Sequence, residues 1–317
     1  MIRYLKHSEI DFDKWDDCIE RSINGIIYPL TYYLNQVSPR WEALVYGDYQ
    51  AVMPLPVKKK LAISYLVQPP FVQQIGVFSP APVNEELVKA FISAIPHHFR
   101  YVNIKLNTFN PLSHQKGIII SKNVTYELDL IAPYEQIIKH YSQQTLRNLK
   151  RSEKEKVFVT ENAEPEPVME SFRQNRGRKI PLADEKWFLT LKHLVHSGLY
   201  RGNAKVYSAY DAHNTFCAGV IFFASHNKVI LIFSGSTPQA RKNGAMTAII
   251  DRFIRDHAGK NLILDFEGSN QMNLARFYAG FGSKECVFLQ VEIYNFPLLL
   301  KPIAGLYFTL RKQLAGY

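Results

Sequence analysis

The pattern that most restricts this chain lies in residues 229–266. An unbroken apolar run, Val229-Ile-Leu-Ile-Phe233, is followed by a polar stretch, by residues 245–257, and by a second apolar run at 262–266. Within 245–257, Met246, Ile249, Ile250, Phe253 and Ile254 recur at i, i+3, i+4, i+7 and i+8. That is the stripe of a helix buried along one side. Short apolar runs without alternation read as strands buried on both faces. The polar stretch between strand and helix, residues 234–245, holds Arg241, Lys242, Asn243 and Gly244 and reads as a loop. A chain with this segment must cover buried strands with a helix, which makes it α/β.

The rest of the chain runs through a similar order of elements twice. In residues 1–132, a strand at 2–5 precedes an amphipathic helix with Phe12, Trp15, Ile19 and Ile23 near helical spacing, then a short helix at 32–37. Strands at 41–46 and 51–57 flank Gly47-Asp48 as a hairpin, with Lys58-Lys59-Lys60 as a solvated tip. Residues 68–82 are proline-rich, extended and irregular. Asn84 caps a helix carrying Leu87, Val88, Phe91, Ala94 and Ile95, and strands follow at 101–106 and 124–130. A basic helical connector at 134–156 opens the second half, so the expected domains are 1–132 and 133–317. There, a strand at 157–160, a helix after Pro165 and Pro167, and a helix from Asp184 that Gly198 ends precede three strands in a meander at 204–210, 216–224 and 229–233. The 245–257 helix, a strand at 262–266, a short helix within 275–282 and a strand at 287–294 complete it. The expected class is α/β (α+β): two tandem domains, each a mixed, mostly antiparallel sheet flanked by helices. No sequence repeat links the halves; only the element order recurs.

Composition narrows the function. With 317 residues and 47% hydrophobic content, the chain can bury one large or two medium cores. A net charge of +10 suits polyanionic partners, or serves solubility alone. Cys18, Cys217 and Cys286 lie far apart without CxxC spacing, against a disulfide framework or zinc site and in keeping with a reducing cytoplasm. No apolar run reaches membrane-span length, and Met1-Ile-Arg-Tyr-Leu-Lys-His is not a signal-peptide core, so a cytoplasmic location is expected. The apolar, basic tail from Phe296 packs on the body or touches a membrane surface; Pro297, Pro302 and Gly305 interrupt any long amphipathic helix and favour packing. HExxH, DxDxDG, Walker and GxSxG patterns are missing, and His97-His98 has no partner at ligand spacing, so no metal is expected.

Three clusters carry candidate chemistry. A phosphate sits well at a helix N-terminus, where N–H groups lack partners. Gly244 would let the backbone approach it, and Arg241 and Lys242 add positive charge; otherwise this is a surface loop with a helix-start glycine. Asp265 and Glu267 alternate on one face at a strand end, placed for acid–base work on an amine, or for ordering the next turn. Arg147, Lys150, Arg151 and Lys154 share one side of a helix, as a substrate contact or a solvated face. Arg173, Arg176 and Arg178 form a further basic loop.

Arg241-x-x-Gly244-x-Met246 resembles the pyrophosphate loop of the GNAT acyltransferases, Q/R-x-x-G-x-G/A, with Met246 departing at the last small position. The segment Ala275-Arg-Phe-Tyr278 to Gly280-Phe281-Gly282 resembles the GNAT helix that carries a proton-donating tyrosine. The Arg147-Asn148 to Lys150 segment, with Asp265-Phe266 and Gly268-Ser269 downstream, is similar to FemAB-like double-GNAT proteins. The resemblance implies acyl transfer from acetyl-CoA or another acyl-CoA to a small-molecule or peptidyl amine held between the halves, without a metal. The donor pyrophosphate would rest on Arg241, Lys242, Asn243, Gly244, Ala245 and Met246. Backbone N–H groups at Phe233, Ser234, Gly235 and Ser236 would hold the thioester carbonyl. Glu267 would take the amine proton and Tyr278 would protonate the thiolate. Arg147, Lys150, Arg173, Arg176 and Asp265 would contact substrate. Two alternatives stay open: a Fem-type peptidyl-transferase using aminoacyl-tRNA and a cell-wall precursor, and a catalytically silent protein that binds a nucleotide-linked ligand.

Overall fold

The computed structural model describes residues 1–60, 63–180, 183–268 and 270–296; the tail expected to pack or touch a membrane lies outside them from Pro297 on, as does Ser269. Two compact units are present: residues 1–123 together with the stretch from Val287, and residues 124–286.

Unit 1 opens with β1 (Ile2–Leu5), α1 (Phe12–Arg21), α2 (Thr31–Val37), β2 (Glu42–Tyr46) and β3 (Ala51–Leu55). α1 begins where the Asp11 carboxylate accepts the Lys14 N–H. It buries Trp15 against Trp41, ring centroids 4.6 Å apart. Both indoles are satisfied, Trp15 donating to Pro29 O at 2.8 Å and Trp41 to Asn35 Oδ1 at 2.9 Å. Each such burial contributes on the order of 2–3 kcal/mol. β1, β2 and β3 form an antiparallel sheet. The lysines expected at a hairpin tip instead form β4 (Val57–Lys60), paired with β5 (Ile63–Val67). The ladder satisfies their backbone, so the strand outlasts the apolar run that announced it. After the irregular 68–82 stretch, α3 (Glu85–Ser93) is capped by Asn84 and leads to β6 (Phe99–Lys105), parallel to β5.

β7 (Ile118–Asp129) ends unit 1 and opens unit 2. Next come α4 (Tyr134–Ile137), α5 (Gln143–Lys154), β8 (Phe158–Glu161), α6 (Glu166–Gln174) and α7 (Glu185–Tyr200). β9 (Ala204–Tyr210), β10 (Phe216–Ser225) and β11 (Lys228–Ser236) form the expected meander. α8 (Pro238–Asn243), α9 (Ala245–His257), β12 (Ile263–Asp265) and α10 (Met272–Ala279) follow, and β13 (Lys284–Tyr294) closes the described chain. The strand order is β7-β12-β11-β10-β9-β8, antiparallel throughout except for the parallel pair β11–β12. α9 lays Phe253 flat on Phe222 at 4.1 Å and edge-on to Tyr207, filling one face of the sheet. α6 covers the other face where two glycines pair, Gly219 with Gly235. A Cβ on Gly235 would lie 2.0 Å from Val168 O, and one on Gly219 2.3 Å from Val168 Cγ2.

Three expectations change. The 132/133 boundary moves, because Glu127–Asp129 ladder with β12 in unit 2 while Gln290–Tyr294 ladder with β6 in unit 1. Gly198 does not end its helix: α7 runs on to Tyr200, and the glycine makes room for the Phe223 ring, 2.4 Å from where its Cβ would be. Residues 234–245 are not a loop: β11 extends to Ser236 against β10, and α8 fills 238–243, started by Pro238 in its first turn.

Candidate active site

β11 lies between two partners but keeps both only briefly. It pairs with β12 over Lys228–Ile230, then continues to Ser236 with β10 as its one strand partner among the described residues. The register against β10 also slips: Phe222 faces Leu231 and Ile221 faces Phe233, leaving Ile232 as an extra residue. Such a bulge reverses the alternation. Val229 and Leu231 therefore pack in the α9 core, while Phe233 turns to α6 and meets Phe172 at 4.7 Å. Trp187 stacks on Phe172 at 5.7 Å, so an aromatic wall stands beside the divergence. The backbone of Phe233, Ser234, Gly235 and Ser236 thus has one edge without a strand partner among the described residues.

β12 ends at Asp265, where the expected alternation also stops. Glu267 has φ +50°, so it does not share a strand face with Asp265. Asp265 is buried rather than offered to substrate. Its Oδ1 accepts the Thr125 hydroxyl at 2.5 Å and the Glu267 N–H at 2.9 Å, and Oδ2 lies 3.8 Å from Lys228 Nζ. Thr125 Oγ1 in turn accepts the Gly268 N–H at 3.0 Å, and Lys228 donates to Glu127 at 2.5 Å. Burial pushes the Asp265 carboxyl up, with Lys228 opposing. For Lys228, burial alone would lower the ammonium, and Asp265 and Glu127 more than reverse it. Both partners shift upward because complete burial of the acid outweighs one cation almost 4 Å away.

Glu267 emerges from this turn half-exposed. Tyr278, on α10, stacks on Phe266 at 4.9 Å. Its phenol is pushed up to about 12, first by burial and then by the negative charge of Glu267, with Arg176 pulling the other way. The Glu267 and Arg176 charges therefore act in opposite directions on the Tyr278 phenol. At neutral pH the phenol stays protonated and is a donor.

The α8–α9 junction differs from its expectation. Gly244 is left-handed, φ +75°, and buried. A Cβ there would meet the Asn148 carbonyl oxygen of α5 at 2.4 Å. The close approach the glycine permits is to α5, not to open space for a phosphate. Asn243 is buried, accepting the Ala245 N–H at 3.1 Å and donating to Cys217 Sγ at 3.2 Å. Met246 is half-buried against the core. Arg241 and Lys242 are exposed on α8, and α5 packs beside it with Arg147, Lys150, Arg151 and Lys154 exposed. Arg173 is occupied by Glu185 and lies over the Phe188 ring at 5.2 Å. Thr125, Glu127 and Lys228 escape a reading of the sequence: Lys228 looks like the last residue of a turn, and the other two lie far from Asp265 along the chain.

Among the described residues no helix is long and apolar enough to cross a membrane, and no group of His, Cys, Asp and Glu is arranged to hold a metal ion. Neither protein-family models nor curated proteins match the sequence. Solved structures do. FemX matches with a TM-score of 0.61 and 12% identity over 96% of this chain and 99% of its own. The fold is shared with FemX. A conserved protein of unknown function from Bacteroides thetaiotaomicron shares it, with a TM-score of 0.56 and 9% identity over 93% of this chain and 100% of its own. Within this fold, the end of the β11–β12 pairing, the bulge and the turn after β12 all lie in unit 2.

Proposed function

We propose that this chain transfers an acyl or aminoacyl group from a phosphate-bearing activated carrier to an amine. The observation that supports it most is Tyr278 stacked on Phe266 at 4.9 Å, next to Glu267 and just past the point where the β11–β12 pairing ends. The amine nitrogen attacks the carbonyl carbon while Glu267, directly or through a water, takes its proton. N–H groups on the open edge at Phe233–Ser236 stabilise the developing oxyanion; one such donor is worth about 3–4 kcal/mol in other enzymes. The carbonyl–carrier bond then breaks, and Tyr278 gives its proton to the departing thiolate or oxygen. Arg176 binds an anionic group of the substrate.

The favoured carrier is a coenzyme A thioester. Because Asn148 O covers Gly244, its diphosphate would contact the exposed Arg241, Lys242, Arg147 and Lys150 side chains rather than the glycine backbone. The spread of cations over α5 and α8 favours a second reading, an aminoacyl-tRNA carrier with a peptidyl acceptor. Calorimetry with acetyl-CoA, longer acyl-CoAs, free CoA and aminoacyl-tRNA, followed by product mass spectrometry with a panel of amines, separates them. Donor binding that Arg241→Glu weakens, with turnover lost in Glu267→Gln and Tyr278→Phe, is expected. Binding of no donor, or unchanged turnover in both variants, overturns the proposal.

A further inference from the structure

We propose that Thr125, Asp265 and Lys228 are positioning residues that hold Glu267 in its left-handed backbone conformation beside Tyr278; this rests on the roles given to Glu267 and Tyr278 above. A glutamate at φ +50° is uncommon and strained, and persists only where its surroundings over-determine it. The surroundings here do so from both sides. The Glu267 N–H is held by Asp265 Oδ1 at 2.9 Å, and the next N–H, of Gly268, by Thr125 Oγ1 at 3.0 Å. Thr125 closes the circuit by donating its own proton to Asp265 at 2.5 Å, so one hydroxyl serves both halves of the turn. The turn is also pressed onto β7: a Cβ on Gly268 would lie 2.7 Å from Thr125 Cα. Lys228 lies 3.8 Å from Asp265 and offsets its buried charge.

Glu267 lies two residues past the end of β12, in a turn fixed on both sides. That turn follows Phe266, which stacks on Tyr278 at 4.9 Å, so the Glu267 charge lies near the phenol and raises it. Among the described residues, Arg176 is the other charged group that acts on that phenol.

The test uses the full chain with carbon-13-labelled tyrosine, the Tyr278 signal being assigned with Tyr278→Phe. Thr125→Val removes the shared hydroxyl at constant volume, and Thr125→Ser returns it. In Thr125→Val the Tyr278 titration midpoint should fall by about half a unit or more, because burial persists while Glu267 moves away. kcat should drop on the order of 10–100-fold with KM within about two-fold. Thr125→Ser should restore both. Asp265→Asn supplies the same comparison if Thr125→Val does not fold. A lowered melting temperature with unchanged titration and kcat would show a purely structural cluster and sink the proposal. The titration needs no substrate, so it still decides the positioning if no donor supports turnover and the functional reading fails.

Discussion

Each unit sends a helix across between two parallel strands, α3 between β5 and β6, and α9 between β11 and β12. Their N-termini are used in opposite ways. α3 closes on itself: Asn84 accepts the Leu87 N–H at 2.9 Å, Glu85 and Glu86 occupy its first turn, and Glu85 also accepts the Ser113 N–H at 2.9 Å. Acids at the positive end of a helix stabilise it and repel an anionic ligand. α9 has no acid in its first turn, enters through Gly244, and follows Arg241 and Lys242. One architecture therefore yields a self-satisfied crossover in unit 1 and a cationic one in unit 2. The substrate chemistry proposed here belongs to the unit whose helix start is free of acids.

The two crossovers differ most at Gly244. Its left-handed φ and the 2.4 Å approach to Asn148 O predict that Gly244→Ala destabilises unit 2 by about 2–4 kcal/mol. Asn84→Ala at the counterpart helix should cost only about 1 kcal/mol. Urea denaturation of both variants checks this, and equal losses would contradict it. Asn243→Ala comes next: it strands the buried Ala245 N–H and should cost about 1–3 kcal/mol, read in the same way.

Charge sharpens the comparison with little effect on folding. Arg241→Glu with Lys242→Glu should change stability by no more than about 0.5 kcal/mol. It should weaken donor binding about ten-fold or more and flatten its salt dependence. Glu85→Gln with Glu86→Gln in unit 1 should leave donor binding unchanged, and calorimetry across a salt series compares the pairs. The smallest effect is a pH dependence. Lys89, with Ser113, lowers the Glu85 carboxyl to about 2. A carboxylate depressed in the folded state adds stability above its ordinary range and loses it as pH falls through the folded value. The Glu85 contribution should therefore fade between about pH 4.5 and 2 and vanish in Glu85→Gln. Its exposure keeps it small, and acid titration of melting temperatures would detect it.

Much of the fold was legible because its signals are local. The α9 stripe gave both ends of that helix, and Asn84 and Asp184 marked helix starts through a side chain three residues from its partner. Gly198 was misread because the ring that needs its space belongs to Phe223, on another element. Ser234–Ser236 read as loop because their strand partner, Ala218–Val220, lies elsewhere in the sequence. At the site, Glu267 and Tyr278 were named as candidates by type and motif, and Arg176 as part of a basic loop. Thr125 and Lys228 were not, since nothing around them hints at Asp265.

The amino-acid sequence alone specified most of the elements, their order in two halves, and a set of acids, cations and a tyrosine that resembles an acyl-transfer site. Periodicity, caps and turn residues act within a few bonds of where they are written. The tertiary structure decided which of those residues meet. Strand register, a single bulged residue at Ile232 and the space at glycines turned Phe233 to α6, moved Asp265 from substrate contact to buried support, and placed α5 over Gly244. Those outcomes depend on ladders and volumes joined over a hundred or so residues, which no local pattern carries.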